Sequence, residues 1–415
     1  MTAVSTPQGA LSHLRVLDLS RILAGPWAGQ LLADLGAETF KVERPGTGDD
    51  TRAWGPPFVK DAEGEALDAA YFLCANRNKK SLAIDFTRPE GQVLIRALAA
   101  ECDVLIENFK VGGLAAYGLD YESLREVNPG LIYCSITGFG QTGPYAARPG
   151  YDFLIQGMGG LMSITGAAAG EPGAGPQKVG VAVTDVMTGL YATVGILAAL
   201  AHRERTGEGQ HIDLALLDVQ VAALANQAAN YLVGGVAPGR MGNAHPNIVP
   251  YQDFPTADGH MIVAVGNDAQ FARLCAELGA PQIAADTRFA ANKDRIAHRE
   301  ALASELSRYT SARSTAHWIA ALEAAAVPCG PINTIDQVFD DPQVRSRGMQ
   351  IDLPHRGGGT APLVANPLRL SASPVRYRTA PPELGAHTRD VLGSVLGVPL
   401  RQMDALAQAH VIPFE

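Results

Sequence analysis

Asp185 stands where the apolar run 180–184 gives way to a long, helix-like apolar run. A carboxylate at such a boundary lies near the positive end of a helix, which is expected to favour its ionised form. An ionised carboxylate can attack an activated acyl group and be released again from an anhydride. The same residue could instead cap the helix, and the local residues leave both roles open. Asp213 and Asp218 also lie near predicted helix starts, but no glycine-rich segment leads into them. Glycine-rich stretches at 138–144 and 157–160 precede Asp185, with Tyr151 and Asp152 between them. Small residues of this kind let a backbone approach a ligand and present N–H groups to an oxyanion; the alternative is a long turn.

Other chemistry-bearing residues cluster after predicted strands. Lys41 and Arg44 form one group, and Arg77, Lys79 and Lys80 another. They can hold phosphates, the arginines as forks and the lysines as point charges, or serve only as solvated surface charge. Asn108 can bond an amide and Phe109 can stack on a ring, or the two can form a plain turn. The loop 20–26 has one glycine and then Pro26, so the GxGxxG of a dinucleotide site is missing. There is no HExxH, no CxxC and no GxSxG, which argues against a metal site and against a serine hydrolase.

The elements that must position these residues alternate in type. Strand-like runs at 14–19, 38–42, 81–85, 104–106 and 132–136 are interleaved with helical patterns at 27–35 and 89–100. Crossovers of this kind imply a mostly parallel sheet, with ligands outside the carboxyl ends of its strands. The run 186–201 is shorter than a membrane span and reads as a buried core helix. A strand at 209–215 and one helix at 217–231 follow. After a break at 234–250, a strand at 259–265 and helices at 268–278, 299–309 and 315–325 suggest a smaller α/β unit. The stretch 327–380 is loop-rich, and a last helix at 389–396 is placed to dock back on the first domain.

A chain of 415 residues is long for one domain and comfortable for two. With 47% hydrophobic and 18% charged residues it reads as well cored. A net charge of −9 and no basic run argue against a nucleic-acid partner. Five scattered cysteines fit reduced thiols, and no export or membrane signal is visible, so a cytoplasmic protein without a membrane partner is expected.

Taken in order and spacing, four motifs make the chain resemble the family III CoA-transferases (CaiB/BaiF type), the formyl-CoA transferase and carnitine CoA-transferase group. They are Arg-Val-Leu-Asp-Leu-Ser-Arg-Ile-Leu-Ala-Gly-Pro at 15–26, Lys-Val-Glu-Arg-Pro-Gly-Thr-Gly-Asp at 41–49, Asn-Lys-Lys-Ser-Leu-Ala-Ile-Asp at 78–85 and Glu-Asn-Phe at 107–109. The resemblance runs from about residue 14 to 396. It implies an α/β fold: a Rossmann-like large domain with a parallel sheet plus a smaller α/β domain, in an interlocked homodimer. The implied division is a CoA-binding domain at 1–205 completed by 375–415, a linker at 206–235, the small domain at 236–328 and a return linker at 329–374.

The resemblance also assigns roles. Asp185 matches the family's nucleophile. CoA contacts carry over to Ile22, Leu23, Ala24, Arg44, Ile84, Asn108 and Phe109. A CoA-contacting arginine of formyl-CoA transferase falls at Ala116 here, and Lys110 or Arg88 is the candidate replacement. Tyr151 matches an active-site tyrosine, and Asp152 stands where formyl-CoA transferase has a glutamate. Gly242 to His245 is expected to close over Asp185. No permanent cofactor is implied; the CoA thioester is a substrate. The stretches 107–114 and 242–252 are similar to those of transferases that pass CoA from succinyl-CoA to small dicarboxylates, and Arg148, Lys178 and Arg240 are candidates for a second carboxylate. Two other readings share the fold: an α-methylacyl-CoA racemase-like isomerase and a non-catalytic acyl-CoA-binding protein. Racemases have a His-Asp pair where this chain has Tyr151-Asp152, and a tyrosine is a poor base at neutral pH.

Overall fold

The computed structural model describes residues 9–61, 63–355 and 358–414. The chain divides into two compact units. The first comprises residues 1–161, 179–229 and 345–415, and the second residues 162–178 and 230–344. The segment 206–235, expected to be a linker, instead carries a sheet strand of the first unit. The stretch 345–374, expected within the return linker, also belongs to that unit.

Six strands build the sheet of the first unit: β1 (Arg15–Asp18), β2 (Glu38–Glu43), β3 (Lys79–Ala83), β4 (Val104–Glu107), β5 (Ile132–Thr137) and β6 (Gln210–Ala215). Every pairing is parallel, and the spatial order is β3-β2-β1-β4-β5-β6. This is the doubly wound order, whose winding reverses between β1 and β4. All residues of β4 and β5 are buried, as expected where helices cover both faces of a parallel sheet.

Helix α1 (Ala24–Asp34) follows β1 directly and contains Pro26 in its first turn, where a missing N–H costs nothing. Helix α2 (Pro89–Ala100) covers the opposite face. One core cluster joins Leu17, Phe40 and Leu82 to Leu94, Ile95 and Leu98 of α2. The same cluster takes in Val391, Leu392, Met403, Leu406 and Ile412, so the end of the chain packs back on the sheet. A second cluster joins Val16, Ile106 and Ile136 to Ala28 and Leu32 of α1.

Two further helices concern the site: α3 (Asp152–Met158) and α4 (Val183–Thr206). α4 meets α1 at Gly189, where an added Cβ would stand 2.8 Å from the Ala24 carbonyl oxygen. Ala192 and Ile196 on the same side are fully buried, but Leu190, Tyr191, Val194 and Leu197 are exposed. The expected core helix is thus buried along one side only. It is also long and apolar enough to cross a membrane by length and composition.

The helix expected at 217–231 is two, Leu216–Ala223 and Ala225–Gly234. The break falls at Ala225, whose φ of +45° no glycine or proline announces. The second unit has a three-stranded antiparallel sheet of Tyr251–Pro255, His260–Ala264 and Cys329–Pro331. Its own core includes Phe254, Met261, Phe271, Leu302 and Trp318.

Candidate active site

A cavity of about 680 Å³ opens at the winding reversal of the first unit. Loops leaving the carboxyl ends of β1 and β4 form its walls, the place where doubly wound sheets bind ligands. Ile22, Leu23, Ala24, Arg44, Ile84, Asn108, Phe109 and Lys110 all line it, and so do Tyr151 and Asp185. Residues singled out from six separate stretches of sequence therefore share one wall system.

The β1 loop has a demanding geometry. Ile22 sits at φ +72°, in the left-handed region that a β-branched residue rarely enters. Its N–H donates to both carboxylate oxygens of Asp49, at 3.2 and 3.4 Å. Asp49 is in turn fixed by Lys41 Nζ at 2.8 Å and by the Thr51 N–H at 3.0 Å. The β4 loop is tied to the same turn. Asn108 Oδ1 accepts the Arg21 N–H at 2.9 Å, and its Nδ2 donates to the Arg21 carbonyl at 2.7 Å. Phe109 meets Phe86 edge-on at 5.7 Å, and Phe86 meets Tyr117 at 5.8 Å.

The cations divide by burial. Lys41 and Lys79 are fully buried, paired with Asp49 and Asp18 at 2.8 Å each. Arg77 is buried against Asp34, and Arg52 against Glu43. These groups are internal ion pairs rather than solvated surface charge, with Lys41 at the cavity wall, and Arg21, Arg44, Lys110 and Arg148 line the cavity as well. Arg88 does not line the cavity and pairs with Asp85 at 3.5 Å. Of the two candidates to replace the arginine at Ala116, only Lys110 is in place.

Asp185 is the third residue of α4, and Ala182, not Asp185, is the N-cap. The capping is done by Asp152, whose Oδ1 accepts the N–H of Thr184 at 2.8 Å and that of Asp185 at 3.3 Å. Asp152 Oδ2 accepts Gln156 Nε2 at 2.7 Å. Gln156 Oε1 then takes the Val179 N–H at 2.9 Å, and Thr184 Oγ1 donates to Gln220 at 2.7 Å. The helix end by itself favours the ionised form of Asp185, and two other influences oppose it. Burial first, then the neighbouring Asp152 charge, push its carboxyl up to about 7. The N–H groups of Thr184 and Asp185 in the first turn donate to Asp152 and not to the Asp185 carboxylate.

Tyr71 was not foreseen. Burial, then the charges of Asp185, Cys74 and Asp152, raise its phenol to about 12. Its ring meets Trp54 edge-on at 5.3 Å. No motif marks either residue. Tyr151 is 65% exposed. Gly138 and Gly150 pack backbone to backbone, and a Cβ on Gly150 would lie 2.3 Å from the Gly138 Cα.

Asp152 does not line the cavity, and neither do Gly242 and His245, which lie in the second unit. There Gly242 has φ +61°, and His245 rests against Tyr251 with its N–H on the Tyr251 carbonyl at 2.9 Å. Arg299 donates to the His245 and Pro246 carbonyls at 3.1 and 2.8 Å. Of the three cations considered for a second carboxylate, Arg148 lines the cavity, its guanidinium 4.6 Å from the Tyr145 ring centroid and 5.2 Å from that of Phe139. Lys178 and Arg240 lie in the second unit.

The switch-point cavity of the doubly wound sheet thus holds a carboxylate beside loops from both sides of the winding reversal, and the class of enzyme comes from the comparisons. Residues 11–388 match the CoA-transferase family III model, and the chain belongs to that family of transferases. It is 55% identical to the succinate–glutarate CoA-transferase of Agrobacterium fabrum, over 95% of this chain and 98% of that protein. It is 44% identical to the succinyl-CoA:glutarate CoA-transferase of Homo sapiens, over 97% of this chain and 90% of the relative. A crystal structure of a CaiB/BaiF family protein from Brucella suis superposes with a TM-score of 0.81 at 53% identity, covering 93% of this chain and 99% of that one.

Proposed function

We propose that this enzyme moves CoA from succinyl-CoA to a small dicarboxylate, glutarate being the first acceptor to test, with Asp185 as the nucleophile. The observation that carries the reading is the shared cavity: Asp185 stands on the same wall system as the loops after β1 and β4 that are expected to receive CoA. The names of the relatives at 55% and 44% identity support the substrate class.

In the proposed sequence an Asp185 oxygen attacks the thioester carbonyl carbon of succinyl-CoA, the C–S bond breaks, and CoA leaves as thiolate. The thiolate attacks the aspartyl carbonyl of the resulting anhydride and releases succinate, leaving an aspartyl-CoA thioester. The acceptor carboxylate attacks that thioester and expels the thiolate. The thiolate then attacks the acceptor side of the new anhydride, which frees Asp185 and the acceptor's CoA ester. No proton, metal or external energy source is consumed. Water must be excluded while the anhydrides exist.

Ile22, Leu23, Ala24, Arg44, Ile84, Asn108, Phe109 and Lys110 are the proposed CoA contacts, with Tyr151 and Asp152 assisting Asp185. Among the described residues that line the cavity, Tyr151 stands where a racemase has its histidine, which favours acyl transfer over carbon-acid racemisation. An interlocked homodimer in the cytoplasm is the proposed setting, and the bare apolar side of α4 at Leu190, Tyr191 and Val194 supports a partner copy there.

The test is a panel of acids offered with succinyl-CoA. Glutarate and other dicarboxylates should give CoA esters; transfer to monocarboxylates alone would contradict the substrate class.

A further inference from the structure

Glu107, the last residue of β4, is a carboxylate in an unusual place. It is 5% exposed, and no cation is among the groups acting on it in the described residues. Its Oε2 accepts the Phe109 N–H at 2.8 Å, which fixes the turn carrying Asn108 and Phe109. That turn grips the β1 loop through both bonds between Asn108 and Arg21. Across the sheet, Glu107 is in register with Ser135 of β5, whose hydroxyl bonds to it and lies 2.9 Å from His211 Nε2 on β6. His211 stacks on Tyr121 at 5.2 Å and is half-buried, so the chain of groups leads outward from the carboxylate.

Among the described residues the surroundings offer no competing partner. On β5, Tyr133 and Cys134 both feel the Glu107 charge as an upward push on their own titration. On β6, Asp213 is occupied with the Gln141 N–H, and on β1 Asp18 is paired with Lys79. Burial raises Glu107 to about 7 against the pull of Ser135 and the Phe109 N–H.

We propose that Glu107 is a positioning residue for CoA: its ionised carboxylate holds the Asn108–Phe109 turn in the form that receives CoA, and proton uptake through Ser135 and His211 releases that turn. This rests on the reading of the cavity as the CoA site. With Glu107 ionised, the Ser135 hydroxyl donates to it and His211 Nε2–H donates to Ser135. When Glu107 takes a proton by this route, the Ser135 hydroxyl proton passes to Glu107, the Nε2 proton passes to Ser135 and Nδ1 of His211 gains one from solvent, so the Glu107 O–H then donates to Ser135 and the Ser135 hydroxyl to the bare Nε2. The protonated carboxyl is a poorer acceptor for the Phe109 N–H, because a charged acceptor makes the stronger bond. CoA affinity therefore falls as pH drops through the titration of Glu107.

The experiment measures binding of CoA and of dephospho-CoA by calorimetry from about pH 6 to about pH 8.5, in the Asp185→Asn protein. That background removes turnover and the titration of Asp185, and dephospho-CoA removes that of the 3′-phosphate. The expected result is about a tenfold loss of affinity for both ligands toward the acid end. Adding Glu107→Gln should flatten the profile, and adding Ser135→Ala, which removes a donor to the ionised carboxylate, should move its midpoint to higher pH. A Glu107→Gln profile that keeps the parental slope overturns the proposal while leaving the CoA site intact. Should Glu107→Gln fail to fold, an unmoved midpoint in Ser135→Ala overturns it. Absence of CoA binding at every pH overturns the underlying site assignment and the proposal with it.

Discussion

Asp152 caps the helix that carries Asp185: one oxygen of Asp152 accepts the backbone N–H of Asp185 itself at 3.3 Å, and that of Thr184 at 2.8 Å. The two carboxylates are thereby fixed side by side, and after burial the Asp152 charge adds to the cost of ionising Asp185. A free carboxyl poised near 7 can be an anion for attack and still be a moderate leaving group when its anhydride is cleaved.

This arrangement predicts the acid limb of the rate profile. Transfer needs ionised Asp185, so kcat/KM should rise with pH through about 7 and level off above it. Asp152→Asn keeps an oxygen that accepts the two N–H groups but removes the charge. The limb should then shift to lower pH by roughly one unit, as read from the pH dependence of kcat/KM. An unshifted limb would mean that Asp152 does not act on Asp185 electrostatically.

Stability gives a second readout. The folded carboxyl binds its proton more tightly than an unfolded aspartate, so its effect on stability is neutral below about pH 4 and becomes destabilising as pH rises toward 7. Asp185→Asn removes that penalty. The variant should be more stable than the parent at pH 8, by about 2 kcal/mol once solvent screening in an open cavity is allowed for, and the gain should vanish near pH 4. Denaturant melts at the two pH values check this.

The clamp between the β1 and β4 loops should appear in CoA binding. Asn108→Ala removes both bonds to Arg21, each worth about 1 kcal/mol net. KM for the CoA thioester should rise about tenfold or more, with a smaller change in kcat. Equal losses in kcat and kcat/KM would place Asn108 in the chemical step instead.

Gly150 has no room for a side chain, because its missing Cβ would overlap the Gly138 backbone. Gly150→Ala should separate the strand β5 loop from the turn bearing Tyr151 and reduce both stability and activity. Thermal melts alongside turnover assays test the link.

The parallel sheet and the residues of the cavity wall were readable in the sequence because the fold puts function where strands end. Each short apolar run of the first half is followed at once by residues that line the cavity, as with Ile22 after β1 and Asn108 after β4. What local patterns could not show depends on long-range partners. Asp152 caps a helix that begins more than thirty positions later, so Asp185 looked like its own cap. Lys41 and Lys79 gave no sign of burial because their partners are set by tertiary placement: Asp49 comes from the loop after β2, and Asp18 from β1, two strands away from Lys79 in the sheet. Tyr71 reaches the neighbourhood of Asp185 from a short helix at Ala70–Leu73 that no apolar period marks. The helix break at Ala225 follows from a backbone angle that the residue type disfavours.

The claim that Asp185 carries the acyl group and then CoA is tested most directly by trapping. Protein incubated with succinyl-CoA and quenched with hydroxylamine should yield a hydroxamate on the peptide containing Asp185, located by mass spectrometry, and none without the thioester. Turnover at the parental rate by Asp185→Asn, with unchanged mass at that position, would contradict it.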